Sequence, residues 1–251
     1  MNPESNKFNK GPEVVKGKKI EFSLTDEELR EVYSVKNEGG VNGGQSEKEN
    51  NLDREVEIVA TEIENTLGQV EAAAASGDVE EFKNAYIVLL QAEIKKTENS
   101  MKLNIEDFNK GLYKQRYGGD VNYHNEILDR QVKQSQEQIE KLGETIISVE
   151  EDPNLYMENM QFDEVRGKGL ETVLLKYTNE TLNRQKSIKE ARDSGYDNAF
   201  NNNPLHKLMG AVEVTLKKDN LTDLEKERLM KVLNDVEDLP DELRQKISEV
   251  V

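Results

Sequence analysis

Between Asn122 and Glu150 the apolar or small residues Leu128, Val132, Ser135, Ile139, Leu142, Ile146 and Val149 follow one another at alternating steps of four and three. Almost every other position is Gln, Glu, Lys, Arg or Asp. Such steps return to one side of an α-helix, so the pattern predicts a rod with one narrow apolar seam, the geometry by which helices pack side by side. At about 1.5 Å per residue the rod is roughly 43 Å long. The same spacing recurs at Leu52, Val56, Val59, Ile63, Thr66, Val70 and Ala73. The rest of the chain reads as organised around the 122–150 rod.

Punctuation between the seams sets the remaining helices. Ala72 to Ala75 allow close helix approach, Gly77 fits a left-handed cap, and Asp78 with Glu81 forms a capping box, so a tight hairpin is predicted at Ser76–Asp78. The next helix runs from Val79 to about Leu103 with Phe82, Tyr86, Leu89, Leu90 and Ile94 inward. Asn104 caps a shorter helix holding Ile105, Phe108, Leu112 and Tyr113, which stops at Gly118-Gly119. The rod ends at Asp152-Pro153, where proline cannot continue a helix. Leu155, Tyr156, Met157, Met160, Phe162 and Val165 are too apolar for a free loop and predict a short helix or turn across one bundle end.

After Gly167 and Gly169 a long helix reaches about Asp193, with Leu170, Val173, Leu174 and Tyr177 on its inward side. An Asn-rich loop, Ser194 to Pro204, carries Tyr196 and Phe200. Pro204, the Thr222/Glu225 capping box and Pro240 then open three shorter helices. No internal repeat of roughly 33–34 residues is present, which sets the chain apart from ankyrin and tetratricopeptide arrays.

These elements give an all-α fold: an elongated bundle of about four long helices with shorter helices at its ends. Residues 1–51 read as a flexible N-terminal arm. Within it Thr25 and Glu28 cap a short amphipathic helix, 25–35, whose apolar side holds Leu29, Val32 and Tyr33. Gly39-Gly40 and Gly43-Gly44 mark the linker that follows. Residues 52–203 form the main bundle, and 204–251 are a C-terminal helical subdomain or the closing layer of that bundle.

Composition narrows the function. Hydrophobic residues make up 35% and charged residues 34%, as in bundles that bury thin seams. The absence of Cys removes disulfides, thiol catalysis and thiolate metal sites, and the absence of Trp leaves little to stack bases or sugars on. A net charge of −17 argues against nucleic acid and anionic membranes and favours a partner protein with a basic surface. Residues 51–150 carry 11 basic and 20 acidic groups, a balance of −9, so the acidity concentrates on the central helices. No apolar run is long enough to span a bilayer, and residues 1–20 show no signal peptide. A cytoplasmic protein without membrane insertion is expected.

Motifs for catalysis or cofactors are missing. There is no Gly-rich phosphate loop, no Glu-x-x-His pair and no EF-hand calcium loop. Asp120 and His124, four apart, are expected to be a helix N-cap and an exposed histidine rather than metal ligands. His206 is expected at the surface. No metal, no cofactor and no catalytic residue is assigned.

Contact chemistry remains. Gly111 to Asn125 carries Tyr113, Tyr117 and Tyr123 beside Lys114 and Arg116, and Tyr and Arg dominate interface hot spots. Tyr113, Arg116, Tyr117 and Tyr123, with Tyr196, Phe200 and the arm's Leu29, Val32 and Tyr33, are the candidate contacts of a non-enzymatic adaptor, inhibitor or scaffold; the alternative for the tyrosines is packing over one bundle end. The seams also permit a homodimer. In composition, residues 222–251, with Glu/Asp clusters ending in Val250-Val251, resemble the tails of effectors exported by bacterial type IV secretion systems. That resemblance covers the tail alone and implies a secreted effector acting on a host protein, exported without a signal peptide. The other reading is a hydrolase or transferase whose carboxylates meet in a cleft.

Overall fold

Gly77 and Asp78 turn the first hairpin. Gly77 takes φ +75°, and its N–H meets the Ala73 carbonyl at 3.1 Å. The Asp78 carboxylate accepts from the Glu81 N–H at 2.9 Å and starts the return helix. The computed structural model describes residues 46–195 and 203–251, all within one unit spanning Asn42–Val251.

Among the described residues the chain is all-α and has no strand. In order, the helices are α1 (Ser46–Ser76), α2 (Val79–Asn109), α3 (Leu112–Tyr117), α4 (Val121–Glu151), α5 (Pro153–Met157), α6 (Leu170–Asp193), α7 (Asn203–Leu216), α8 (Asp223–Asp235) and α9 (Asp241–Val250), with a 3₁₀ turn at Met160–Phe162. Four are long: α1, α2 and α4 at 31 residues each, and α6 at 24. The expected arm helix 25–35, with Leu29, Val32 and Tyr33, and the loop residues Tyr196 and Phe200 lie outside the described residues.

Two boundaries differ from expectation. Helix α1 begins at Ser46, inside the stretch assigned to the linker. Helix α2 does not stop near Leu103: Asn104 is passed without a break, and the helix runs on to Asn109. Met101 and Ile105 are buried on either side of Asn104, so burial of the continuing face outweighs a local capping tendency. The break falls at Gly111, whose φ of +72° favours glycine.

The centre of the fold is not the 122–150 rod. The main core draws on α1 (Val70, Ala72 to Ala75), α2 (Phe82, Ala85), α6 (Leu170, Val173, Leu174, Tyr177), α7 (Leu208, Ala211, Val212), α8 and α9, together with Met157, Phe162 and Val165. Helix α4 contributes nothing to it. Its seam is buried as expected at Leu128, Val132, Ile139 and Val149, but against α2, with α3 and α5 at its two ends. A single narrow seam covers one neighbour. A helix that is apolar or small on several sides, as α1 is over residues 70–75, reaches several and takes the middle.

Helices α1 and α7 cross with almost nothing between them. A Cβ built on Gly68 falls 2.0 Å from the Lys207 carbonyl oxygen, and one on Gly210 falls 1.9 Å from that of Asn65. Each glycine faces the other helix's backbone, an approach that permits Cα–H···O contacts. Polar clasps flank the crossing: Asn203 donates to Glu64 at 2.9 Å, and Gln69 donates to Glu213 at 2.7 Å.

The ends are tied with equal economy. Asp152 closes α4 and, by accepting from the Leu155 N–H, opens α5, where Pro153 needs no donor. Phe162 then meets Phe82 edge-on at 5.3 Å, so the apolar 154–166 stretch does pack inward. The Gly167 and Gly169 N–H groups bond the Ala74 and Ala75 carbonyls, which satisfies the end of α1. The expected Thr222/Glu225 capping box opens α8, and Arg244 donates to the Leu233, Val236 and Leu239 carbonyls at its end.

Candidate functional site

Among the described residues, two places gather polar or aromatic side chains outside the main core. The first is the corner where α2, α3 and α4 meet. Gly111 starts α3, and Gly118 and Gly119, at φ +61° and +81°, end it. Asp120 is the N-cap expected of it and accepts from the Tyr123 N–H at 3.0 Å. Glycine is required at 119: a Cβ there would sit 2.8 Å from Tyr123 Cδ1, so the tyrosine ring lies directly against that backbone.

His124 corrects an expectation. It is buried, not exposed, and its Nε2 donates to the Gly118 carbonyl oxygen at 2.6 Å. A carbonyl only accepts, so the proton is on Nε2. The histidine thus locks the glycine corner onto the first turn of α4. Tyr113 is also buried, at 1% exposure, and its hydroxyl donates to Gln131. Burial, then the neighbouring Tyr117, push its phenol up to about 12. Its ring meets Phe108 at 5.5 Å, Tyr117 at 5.2 Å and His124 at 6.5 Å, and the His124 ring meets Tyr123 at 6.3 Å.

Tyr113 is therefore the foundation of this corner and is not presented to solvent. What it supports is presented: Tyr117 is 44% exposed, Tyr123 48% and Val121 68%. Arg116 extends beside them and pairs with Asp107 at 2.5 Å. The structure thus gathers four of the sequence candidates, Tyr113, Arg116, Tyr117 and Tyr123, at one place, with Tyr113 beneath the other three.

The second place is a cleft of about 620 Å³ at the α1–α2 turn, lined by Ser76, Asp78, Glu81, Gly167, Gly169, Lys217, Lys218, Asp219 and Glu225 among others. Nothing in the sequence pattern marked it, because its walls come from four separate turns. Three of its four carboxylates already have structural tasks. Asp78 caps α2, Glu81 pairs with Lys217 at 2.6 Å, and Glu225 pairs with Lys218 at 2.7 Å while accepting from the Thr222 N–H. Burial opposes ionisation of Glu225, but these donors outweigh it and hold the carboxyl below its usual range. A general acid needs the reverse shift.

His206 is half-buried rather than a surface residue, and burial lowers its pKa against the opposing pull of Glu64. Among the described residues no group of three or more His, Asp or Glu side chains is placed to hold a metal ion, and no helix is long and apolar enough to cross a membrane. The chain matches no protein-family model, and no curated protein or solved structure is similar to it.

Proposed function

We infer that the chain is a non-enzymatic protein-interaction module and that the α3–α4 corner is one of its contact surfaces. The observation that carries this reading is the exposure of Tyr117, Val121 and Tyr123 on a rigid base. Large amphipathic side chains held still by buried neighbours lose little freedom on binding, which is the character of interface hot spots. Leu29, Val32 and Tyr33 of the arm, and Tyr196 and Phe200, are further contacts in this reading. The test compares proteins retained from the native cellular environment by the native chain and by the Tyr117→Ala/Tyr123→Ala double variant, with helicity checked by circular dichroism. A partner held by the first and lost from the second is expected. Identical retention by both ends the assignment of this corner.

A further inference from the structure

We propose that the occupant of the α3–α4 corner is an extended acidic segment of the partner protein, with a proline or aliphatic residue against the exposed Tyr117 and Tyr123 and carboxylates on Lys114 and Arg116. This rests on the contact reading above and adds the chemistry of what binds. The chain's total charge does not describe what a ligand meets here. Helix α3 is Leu-Tyr-Lys-Gln-Arg-Tyr and contains two cations and no acid. Both cations face solvent.

Lys114 engages no carboxylate among the described residues. The Arg116 side chain is 53% exposed, whereas its partner Asp107 is 18% exposed and lies beneath it. That pair holds the guanidinium through Nη1 and leaves the side chain half exposed, with donors to spare for a second carboxylate. Asp120, the nearest other acid in sequence, is occupied as the α4 cap. The acidity lies further along α4, where residues 126–151 hold seven acidic and three basic groups. Residues 104–125 balance three acidic groups with three basic ones, so an acidic segment meets less repulsion at this end than along the rod.

Shape points to an extended peptide. Tyr117 precedes Gly118, the Tyr123 ring rests on Gly119, and a Cβ built on Gly118 meets nothing within 4 Å. Exposed backbone at Gly118 thus lies between the two tyrosines in the chain, and both rings are half exposed. Aromatic rings beside exposed backbone accept proline or aliphatic side chains of an extended chain.

The test selects a random peptide display library on the full-length native chain. The most enriched peptide is then synthesised and its binding measured by fluorescence anisotropy to the native chain, Lys114→Glu and Tyr117→Ala/Tyr123→Ala. Enriched peptides are expected to carry Asp or Glu next to Pro, Leu or Val. Binding is expected to weaken about tenfold in Lys114→Glu and further in the double variant, and to weaken with added salt. Basic or uncharged peptides that depend on the tyrosines overturn the acidic occupant and leave the contact surface standing. So do acidic peptides that bind Lys114→Glu unchanged. No enrichment, or peptides held equally by the double variant, overturns the corner itself.

Discussion

Helix α4 and the α1–α7 crossing bury apolar surface in opposite ways. Along α4, Leu128, Val132 and Ile139 are buried at steps of four and seven residues on one face, and the helix has one long neighbour, α2. At the crossing two glycines bring backbones together, and α1, α6 and α7 all pack on one another around the main core. Helices α1 and α4 carry equally regular seams, yet α4 ends in the less connected region and α1 in the centre. A seam specifies one side of a helix, and what makes α1 central is the added run of small residues at Ala72 to Ala75, which opens further sides to close packing.

The largest test of this contrast removes equivalent bulk from each region. Leu208 and Ile139 are both almost fully buried, but Leu208 belongs to the shared core and Ile139 to the α2–α4 seam. Leu208→Ala is expected to cost about 4 kcal/mol and Ile139→Ala about 2–3 kcal/mol, because the seam relaxes more easily around a cavity. Urea unfolding measures both. Hydrogen exchange sharpens the same point: amides of α4 are expected to exchange through a local opening before those of α1 and α7. Equal protection would dissolve the distinction between the regions.

A smaller effect follows from the crossing. Alanine is the better helix former by about 1 kcal/mol, so Gly→Ala in an ordinary exposed helix stabilises. Gly210→Ala is expected to do the opposite and destabilise by about 2 kcal/mol, because its new methyl group meets the Asn65 carbonyl oxygen rather than a movable side chain. The urea midpoint reads the sign directly.

The smallest effect concerns ion pairs. Glu225 ionises more readily in the folded chain than in the unfolded one. Its contribution is therefore complete above the ordinary glutamate range and is lost as pH falls through the lower folded value. Glu225→Gln is expected to cost about 1 kcal/mol at neutral pH, and the difference from the native chain is expected to shrink towards zero in strong acid. Glu137 on α4, 3.9 Å from Lys133 and exposed, is the counterpart, and Glu137→Gln is expected to change stability by less than about 0.5 kcal/mol.

Much of the architecture was legible beforehand, and what was legible is local. The seams, the Gly77–Asp78 hairpin, the Asp120 cap and the Thr222/Glu225 box are each written within a few residues. The places where reading failed need partners distant in sequence. Gly68 interrupts a helical pattern at a propensity cost, a signal that some backbone must approach there, but nothing nearby names α7 as that backbone. Likewise Tyr113 and Tyr117 look alike in a six-residue helix too short to show a period. Gln131, Phe108 and His124 decide that the first is buried and the second is not.

The glycine crossing also governs when the protein can finish folding as it is made. The hydrogen bonds that clasp α1 to α7 join residues 139 and 144 apart. At about 5–20 residues per second, α1 waits roughly seven to thirty seconds for α7 to leave the ribosome. Over that interval the small-residue surface at Ala72 to Ala75 lacks the helix that later covers it. The α1–α2 hairpin and the α4 rod can pair early, so the nascent chain passes through a stage with its periphery assembled and its centre incomplete. Emergence of α7, rather than formation of the longest helices, then sets the earliest moment at which the centre can close.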